Sequence, residues 1–167
     1  MKKLHILVLS IVLLLGIGVS SHIINSQTLA QQTYTQSAPQ QIRYIDVNPL
    51  SVVNNPYQYL NKYIRIRAKF DKFSTLGLDY KPALRPHEKY ISFMIQRPDI
   101  TNHNIPLSEF KIFLTKEVAE KHIDLDSGDE ILFSGKVFST ALGDPWMDVD
   151  KFEVTNKVKK DTQNKLQ

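Results

Sequence analysis

Five segments between residues 63 and 154 alternate apolar and polar residues with the two-residue period of a half-buried strand. The alternation predicts strands over residues 63–73, 89–97, 109–115, 130–140 and 146–154. The first of them, "YIRIRAKFDKF", falls out of step at Asp71–Lys72, which predicts a β-bulge that bends the strand. Within the fourth, "EILFSGKVFST", Gly135 predicts a second bend or tight approach.

The period changes between the third and fourth predicted strands. Residues 116–125, "KEVAEKHIDL", carry apolar residues at helical spacing with acidic residues early, which predicts a short helix. Ahead of the first strand, "DVNPLSVVNNPYQYLNK" is punctuated by Pro49 and Pro56 and predicts a short helical or turn element. The pattern therefore predicts a mostly β domain over residues 43–155, with five strands and one helix between strands three and four.

This order of elements, with a bent glycine-bearing fourth strand, resembles the five-stranded OB-fold barrel. "NPYQYLNKYIRIRAKF" is similar to the lead-in and first strand of such barrels, and "GDEILFSGKV" with "MDVDKFEV" resembles their closing pair. The likeness is to small exported bacterial OB-fold proteins of unassigned function and, in pattern, to the anticodon-binding group. Because the fold hosts several ligand classes, the resemblance implies a barrel rather than an activity. A single antiparallel sheet with a helix on one face is the alternative.

The N-terminal segment has the composition of an export signal. Lys2 and Lys3 precede a run of 14 uncharged, mostly apolar residues, Ile6 to Val19, which matches the hydrophobic region of a signal peptide. The run predicts a hydrophobic helix that is either a signal peptide within residues 1–30 or a membrane anchor over residues 6–24. We therefore expect an exported protein, periplasmic, at the cell surface or secreted, that contacts a membrane only through this segment and only if the segment is not cleaved.

The rest of the composition narrows the classes of function. Residues 31–42 are rich in Gln, Ser and Thr and predict a flexible linker, and residues 156–167 predict a basic disordered tail. The net charge of +4 comes from 21 basic and 17 acidic residues, but six of the lysines lie before residue 31 or after Thr155. A near-neutral body argues against a uniformly basic nucleic-acid-binding domain. The absence of cysteine excludes a disulfide framework and a thiol nucleophile.

The first candidate site is the polar face of the first strand, which carries Arg65, Arg67 and Lys69. Single-stranded nucleic acid needs cations for its phosphates and aromatic rings for its bases. The rings expected to accompany these cations are Tyr90, Phe113, Phe138 and Trp146. An alternating charged face is also the ordinary solvent side of an antiparallel strand. It becomes a site only if acidic residues on the neighbouring strands leave it unneutralised.

The second candidate site is the face of the fifth strand that carries Trp146, Asp148 and Asp150. Paired carboxylates beside an exposed indole ring suit a cation or a sugar hydroxyl, although a solvated strand face has the same pattern. The chain contains no recognisable catalytic motif, and its histidines lack metal-ligand spacing. We therefore expect a non-enzymatic binding module without cofactor or metal. Its expected partner is a protein or an envelope glycan, and single-stranded nucleic acid is the alternative.

Overall fold

The computed structural model describes residues 41–101 and 105–159. The predicted signal peptide or anchor, and most of the predicted linker and tail, lie outside these residues and stay predictions. No helix in the described part of the chain is long and apolar enough to cross a membrane. The elements are β1 (Ile45–Asp46), α1 (Pro49–Asn54), α2 (Pro56–Tyr59), β2 (Tyr63–Ser74), β3 (Tyr90–Ile95), β4 (Lys111–Thr115), α3 (Lys116–Glu120), β5 (Glu130–Ser139) and β6 (Trp146–Asn156).

Five strands close into a barrel. β2 pairs antiparallel with β3 and with β5, β3 pairs antiparallel with β4, and β5 pairs antiparallel with β6. A parallel pairing of β4 with β6 completes the ring. The fold is an OB-fold, as the sequence pattern predicted. The alternative of a single open sheet is wrong, because the pairing of β2 with β5 joins its two ends.

Both predicted bends are present, and each accompanies a change in how the strand pairs with its neighbours. In β2 the register shifts between Phe70 and Lys72, so that the first half of the strand pairs with β5 and the second half with β3. In β5 the register against β6 shifts at Gly135. A Cβ at this position would lie 1.8 Å from the carbonyl oxygen of Asp148. Only glycine therefore allows the two backbones to approach so closely.

The inward faces of the strands form the main core. Ile64, Ile66 and Phe70 alternate along β2 and are each at most 2% exposed, and they pack with the inward residues of the other strands. Helix α3 ends at Glu120, so the prediction of a helix to Leu125 is wrong at its C-terminal end. The helix tightens there into turns, because the amides of Lys121 and His122 donate to carbonyls only three residues back.

The acidic turn before β5 is a structural feature. Asp129 is 1% exposed, and its carboxylate accepts hydrogen bonds from the backbone amides of Asp126, at 3.0 Å, and Val158, at 2.8 Å. The turn residue Gly128 donates its own amide to the carbonyl of Phe70 at 2.8 Å. This turn therefore fixes the entry of β5 next to the bulge of β2.

Candidate functional site

The barrel face that OB-folds most often use for ligands is covered in this chain by its own loop. That face is formed by the second and third barrel strands and the loops that flank them, which here are β3, β4 and residues 75–89 and 140–145. Phe113 and Trp146 lie on the outside of the barrel, yet each is 1% exposed. The ring of Tyr80 stacks on Trp146, with centroids 5.3 Å apart. We call residues 75–89 the covering loop.

A charged contact holds the covering loop in place. Arg85 donates from Nε and Nη2 to the two carboxylate oxygens of Asp148, the first at 2.6 Å, and its guanidinium lies 3.7 Å from the ring centroid of Phe138. The hydrogen bonds from Asp148 raise the pKa of Arg85. Gly77 adopts a φ of +82°, and a Cβ there would lie 3.0 Å from the Trp146 ring. The backbone of the loop is therefore fitted against the rings that it covers.

The predicted open face of Trp146, Asp148 and Asp150 does not form. Trp146 is buried beneath the covering loop and donates from Nε1 to the carbonyl of Ala141 at 2.7 Å, so the expectation that it is exposed is wrong. Asp148 is occupied by Arg85. Asp150 accepts a hydrogen bond from the hydroxyl of Tyr44 at 2.8 Å. The other three rings expected near the cations of the first strand pack in or against the same buried cluster; they are Tyr90, Phe113 and Phe138.

The cations of β2 lie instead in a groove on another side of the barrel. Three clefts of about 360, 550 and 520 Å³ adjoin one another, because the first two share Arg67 and the last two share Arg65. We call the first, which contains Gln96, the Gln96 cleft, and the three together the cationic groove. In the described part of the chain, six cations and two acids line the groove: Arg43, Arg65, Arg67, Lys69, Arg97 and Lys151, with Asp46 and Glu130.

Two of the six cations are neutralised by carboxylates. Arg65 donates to both oxygens of Asp46, at 2.6 and 2.8 Å, and these hydrogen bonds lower the pKa of Asp46 and raise the pKa of Arg65. Arg97 is held by Glu109, at 2.6 Å, and by Asp99, at 3.3 Å. Burial opposes ionisation of Glu109, but its backbone hydrogen bond and Arg97 together lower its pKa.

The other four cations have no carboxylate within 4.0 Å in the described part of the chain; they are Arg43, Arg67, Lys69 and Lys151. Arg67 donates only to the hydroxyl of Thr155, at 3.2 Å. The ammonium of Lys151 lies 4.7 Å from the ring centroid of Tyr44. Glu130 lies opposite Lys69 in the register of β2 and β5 and lines the same cleft, so it offsets part of this charge. With six cations against two acids among the described lining residues, the groove keeps an excess of positive charge.

The covering loop also contains a small polar cluster that the sequence did not suggest. Asp79 accepts hydrogen bonds from the backbone amide of His87, at 3.1 Å, and from its ring Nδ1, at 2.8 Å. These bonds, the backbone one foremost, lower the pKa of Asp79. Ligand atoms of Asp79, His87 and Glu88 lie within 4.8 Å of one another, but all three residues are exposed. Their arrangement closes the loop through hydrogen bonds, and we assign no metal to it.

Sequence reasoning missed several residues of the groove. Arg43 and Lys151 stand more than a hundred positions apart and meet at one cleft through the pairing of β6 with β5 and of β5 with β2. Asp46 lies opposite Arg65 because β1 pairs parallel with β2. The only sequence signal for the groove was the alternation of cations in β2.

No protein-family model matches the chain, and no curated protein matches its sequence. Its fold is similar to part of asparaginyl-tRNA synthetase from Pyrococcus horikoshii, with 18% identity and a TM-score of 0.45 over 71% of this chain and 24% of the synthetase. The asparaginyl-tRNA synthetase of Entamoeba histolytica gives 9% identity and 0.46 over 76% and 27%. An OBody, AM3L09, bound to hen egg-white lysozyme, gives 8% and 0.44 over 72% and 100%. The chain thus spans about a quarter of the length of these synthetases, and nothing about its ligand follows from such distant likeness.

Proposed function

We propose that this chain is an exported, non-enzymatic OB-fold module that binds single-stranded nucleic acid in the cationic groove. The observation that carries the proposal is the cluster of four cations without an ion pair, among the described residues, along three neighbouring clefts of an otherwise near-neutral barrel. A flexible strand of phosphates suits such a groove, because each phosphate releases a counterion when it meets a cation.

The spacing of the cations supports an extended ligand. Arg65, Arg67 and Lys69 occupy alternate positions of β2 and so follow one face at intervals of about 6.7 Å. Arg43 and Lys151 continue the positive charge beyond Arg65 into the third cleft. Tyr44 and the half-buried Leu132 offer limited contact area for bases beside them. Most of the binding energy therefore comes from the backbone of the ligand.

The sequence favoured a protein or a glycan as the partner, but the surface on which that hypothesis depended is covered. The hypothesis rested on an exposed Trp146 beside free carboxylates, and in the structure the indole is covered and Asp148 is paired. The proposal of export rests on the apolar segment alone. It is tested by fusing residues 1–40 to a reporter enzyme that is active only outside the cytoplasm, where a signal is expected. If the protein is exported, the ligands of the cationic groove would be single-stranded nucleic acids that cells release or take up.

The binding proposal is tested by the salt dependence of affinity. The full-length chain, in a mild detergent, is titrated against a labelled strand of about 12 nucleotides, which lies within the site sizes of OB-folds. Four cations that each neutralise one phosphate predict a slope of log K against log salt of about −2.8, at about −0.7 per contact. Affinity should then fall about 50-fold between about 50 and about 200 mM salt.

A double variant locates the site. Arg67→Ala with Lys69→Ala leaves two unpaired cations, so the slope should fall to about −1.4 and the loss over the same salt range to about sevenfold. The matched control is Lys81→Ala with Lys89→Ala, which removes the same charge from two exposed lysines that line none of the three clefts. Binding that is flat with salt, or equal losses in the two double variants, contradicts the proposal.

A further inference from the structure

Among the described residues, Gln96 is the one buried polar side chain that lines the cationic groove. It directly follows β3, is 7% exposed, and forms part of the Gln96 cleft. Its backbone amide donates to the carbonyl of Lys69 at 2.9 Å, which places the residue beside the cations of β2. The residue therefore lies beside the path of a nucleic-acid strand whose phosphates contact Arg67 and Lys69.

One end of the Gln96 amide lacks a hydrogen-bond partner among the described residues. Nε2 donates to the hydroxyl of Ser127 at 3.1 Å, while Oε1 is buried without a donor in the described part of the chain. Because Nε2 already pairs with Ser127, the end of the amide that is left over is the acceptor oxygen Oε1. Leaving a buried acceptor unpaired is unfavourable, and native proteins rarely do so without a ligand, an ion or a water in the site.

The remaining walls of the Gln96 cleft suit a single nucleotide. Its volume of about 360 Å³ lies near the lower end of small-molecule pockets, which run from about 300 to 1,000 Å³. Pro49, Ala68 and Ile100 provide apolar surface, and Arg67 and Lys69 provide unpaired cations at the same cleft. Arg97 is already held by two carboxylates, so the positive charge is concentrated on the β2 side.

We propose that the Gln96 cleft is a base-reading subsite for an unstacked adenine or cytosine, whose exocyclic amine stands at the edge where guanine and thymine carry a carbonyl oxygen. The amine donates to Oε1 of Gln96 while the adjoining phosphate lies against Arg67 and Lys69. Binding turns the amide about χ3, a soft torsion in glutamine, so that the covered oxygen meets the amine. Thymine O4 and guanine O6 stand at the corresponding edge and are acceptors, so these two atoms do not pair with this oxygen. The inference rests on the proposed binding of single strands.

The decisive comparison removes the amine and nothing else. The full-length chain is titrated with two strands of about 12 nucleotides, one of deoxyadenosine and one of 2′-deoxyribosylpurine, which is adenine without its amine. Both strands have the same phosphates and the same ring size. The adenine strand should bind about fivefold more tightly, the effect of one neutral hydrogen bond. Equal affinities of the unaltered chain for the two strands overturn the base-reading subsite whether or not any variant folds.

Two variants assign the preference to Gln96. Gln96→Leu should abolish the difference between the strands and leave the salt slope unchanged, because no cation is lost. Ser127→Ala, which removes the other partner of the amide, should keep the preference; thermal unfolding confirms that each variant is folded. A preference that survives in Gln96→Leu overturns the subsite. The absence of salt-dependent binding to every strand is a different result, because it overturns the function on which the subsite rests.

Discussion

Of the two acids among the described groove residues, Asp46 is the one that forms an ion pair with a groove cation, so its removal should strengthen binding. Asp46→Asn takes away the carboxylate that accepts both hydrogen bonds from Arg65. The pair lies at the surface, with the two side chains 41% and 72% exposed, so the folded barrel should be little affected. Arg65 lines two of the three clefts, and once free it becomes a fifth cation available to phosphate.

The size of the gain follows from counterion release. A fifth phosphate contact steepens the slope of log K against log salt from about −2.8 to about −3.5. We take the affinities of the variant and the unaltered chain as equal at about 1 M salt, where the charges are screened. The steeper slope then gives the variant about fivefold higher affinity at about 0.1 M salt. Fluorescence anisotropy across a salt series measures both quantities in one experiment.

A matched variant separates the groove from net charge. Glu117→Gln on α3 also raises the net charge by one unit and frees Lys121, which lines none of the three clefts. It should change the slope by much less than 0.7. If Asp46→Asn binds no more tightly than the unaltered chain, or if Glu117→Gln gains as much, then Arg65 does not face the ligand and the placement of the groove is wrong.

Three further predictions concern the stability of the barrel and of the covering loop. Gly135→Ala should destabilise the barrel by about 4 kcal/mol or more, because its Cβ meets a backbone carbonyl, whereas Gly143→Ala, with φ +81° and open space, should cost about 1–2 kcal/mol in urea unfolding. Arg85→Met removes the contact with Asp148, so proteolysis within the covering loop should become faster. The affinity for single-stranded nucleic acid should stay unchanged. Burial, and then the hydrogen bond to Asp150, raise the pKa of Tyr44 from 10.0 to about 12. The stability that its hydroxyl contributes should be complete below pH 10.0 and lost as pH rises through about 12, and Tyr44→Phe should remove this loss from alkaline unfolding curves.

Local pattern was enough to predict the barrel strands. Each has a two-residue period, and the step at Asp71–Lys72 and the glycine at position 135 marked the two bends that let them close. Strand β1 escaped prediction because two residues carry no period. The extent of α3 was overestimated because the apolar spacing continues to Leu125, whereas the residues after Glu120 form turns that still pack on the barrel through His122 and Leu125.

The site was harder to predict because it depends on register and on a loop. Whether Arg65 is paired and Arg67 is free depends on which residues of β1 and β5 stand beside them. The covering loop, "STLGLDYKPALRPHE", has no period that would reveal its packing on Trp146. A strand residue that looks solvent-facing by alternation can therefore be buried by a segment with no regular structure of its own.

The cationic groove exists only in the closed barrel, because its cations come from four separate parts of the chain. Arg43 precedes β1, Arg67 lies in β2, Arg97 follows β3 and Lys151 lies in β6. An unfolded chain disperses these residues, so a ligand of the groove acts as a folding partner. At a concentration of about 100 times its Kd, such a ligand should add about 2.7 kcal/mol to the free energy of unfolding. For a domain of this size that is a rise of roughly 10 °C in Tm, so an unlabelled ligand can be found by melting alone.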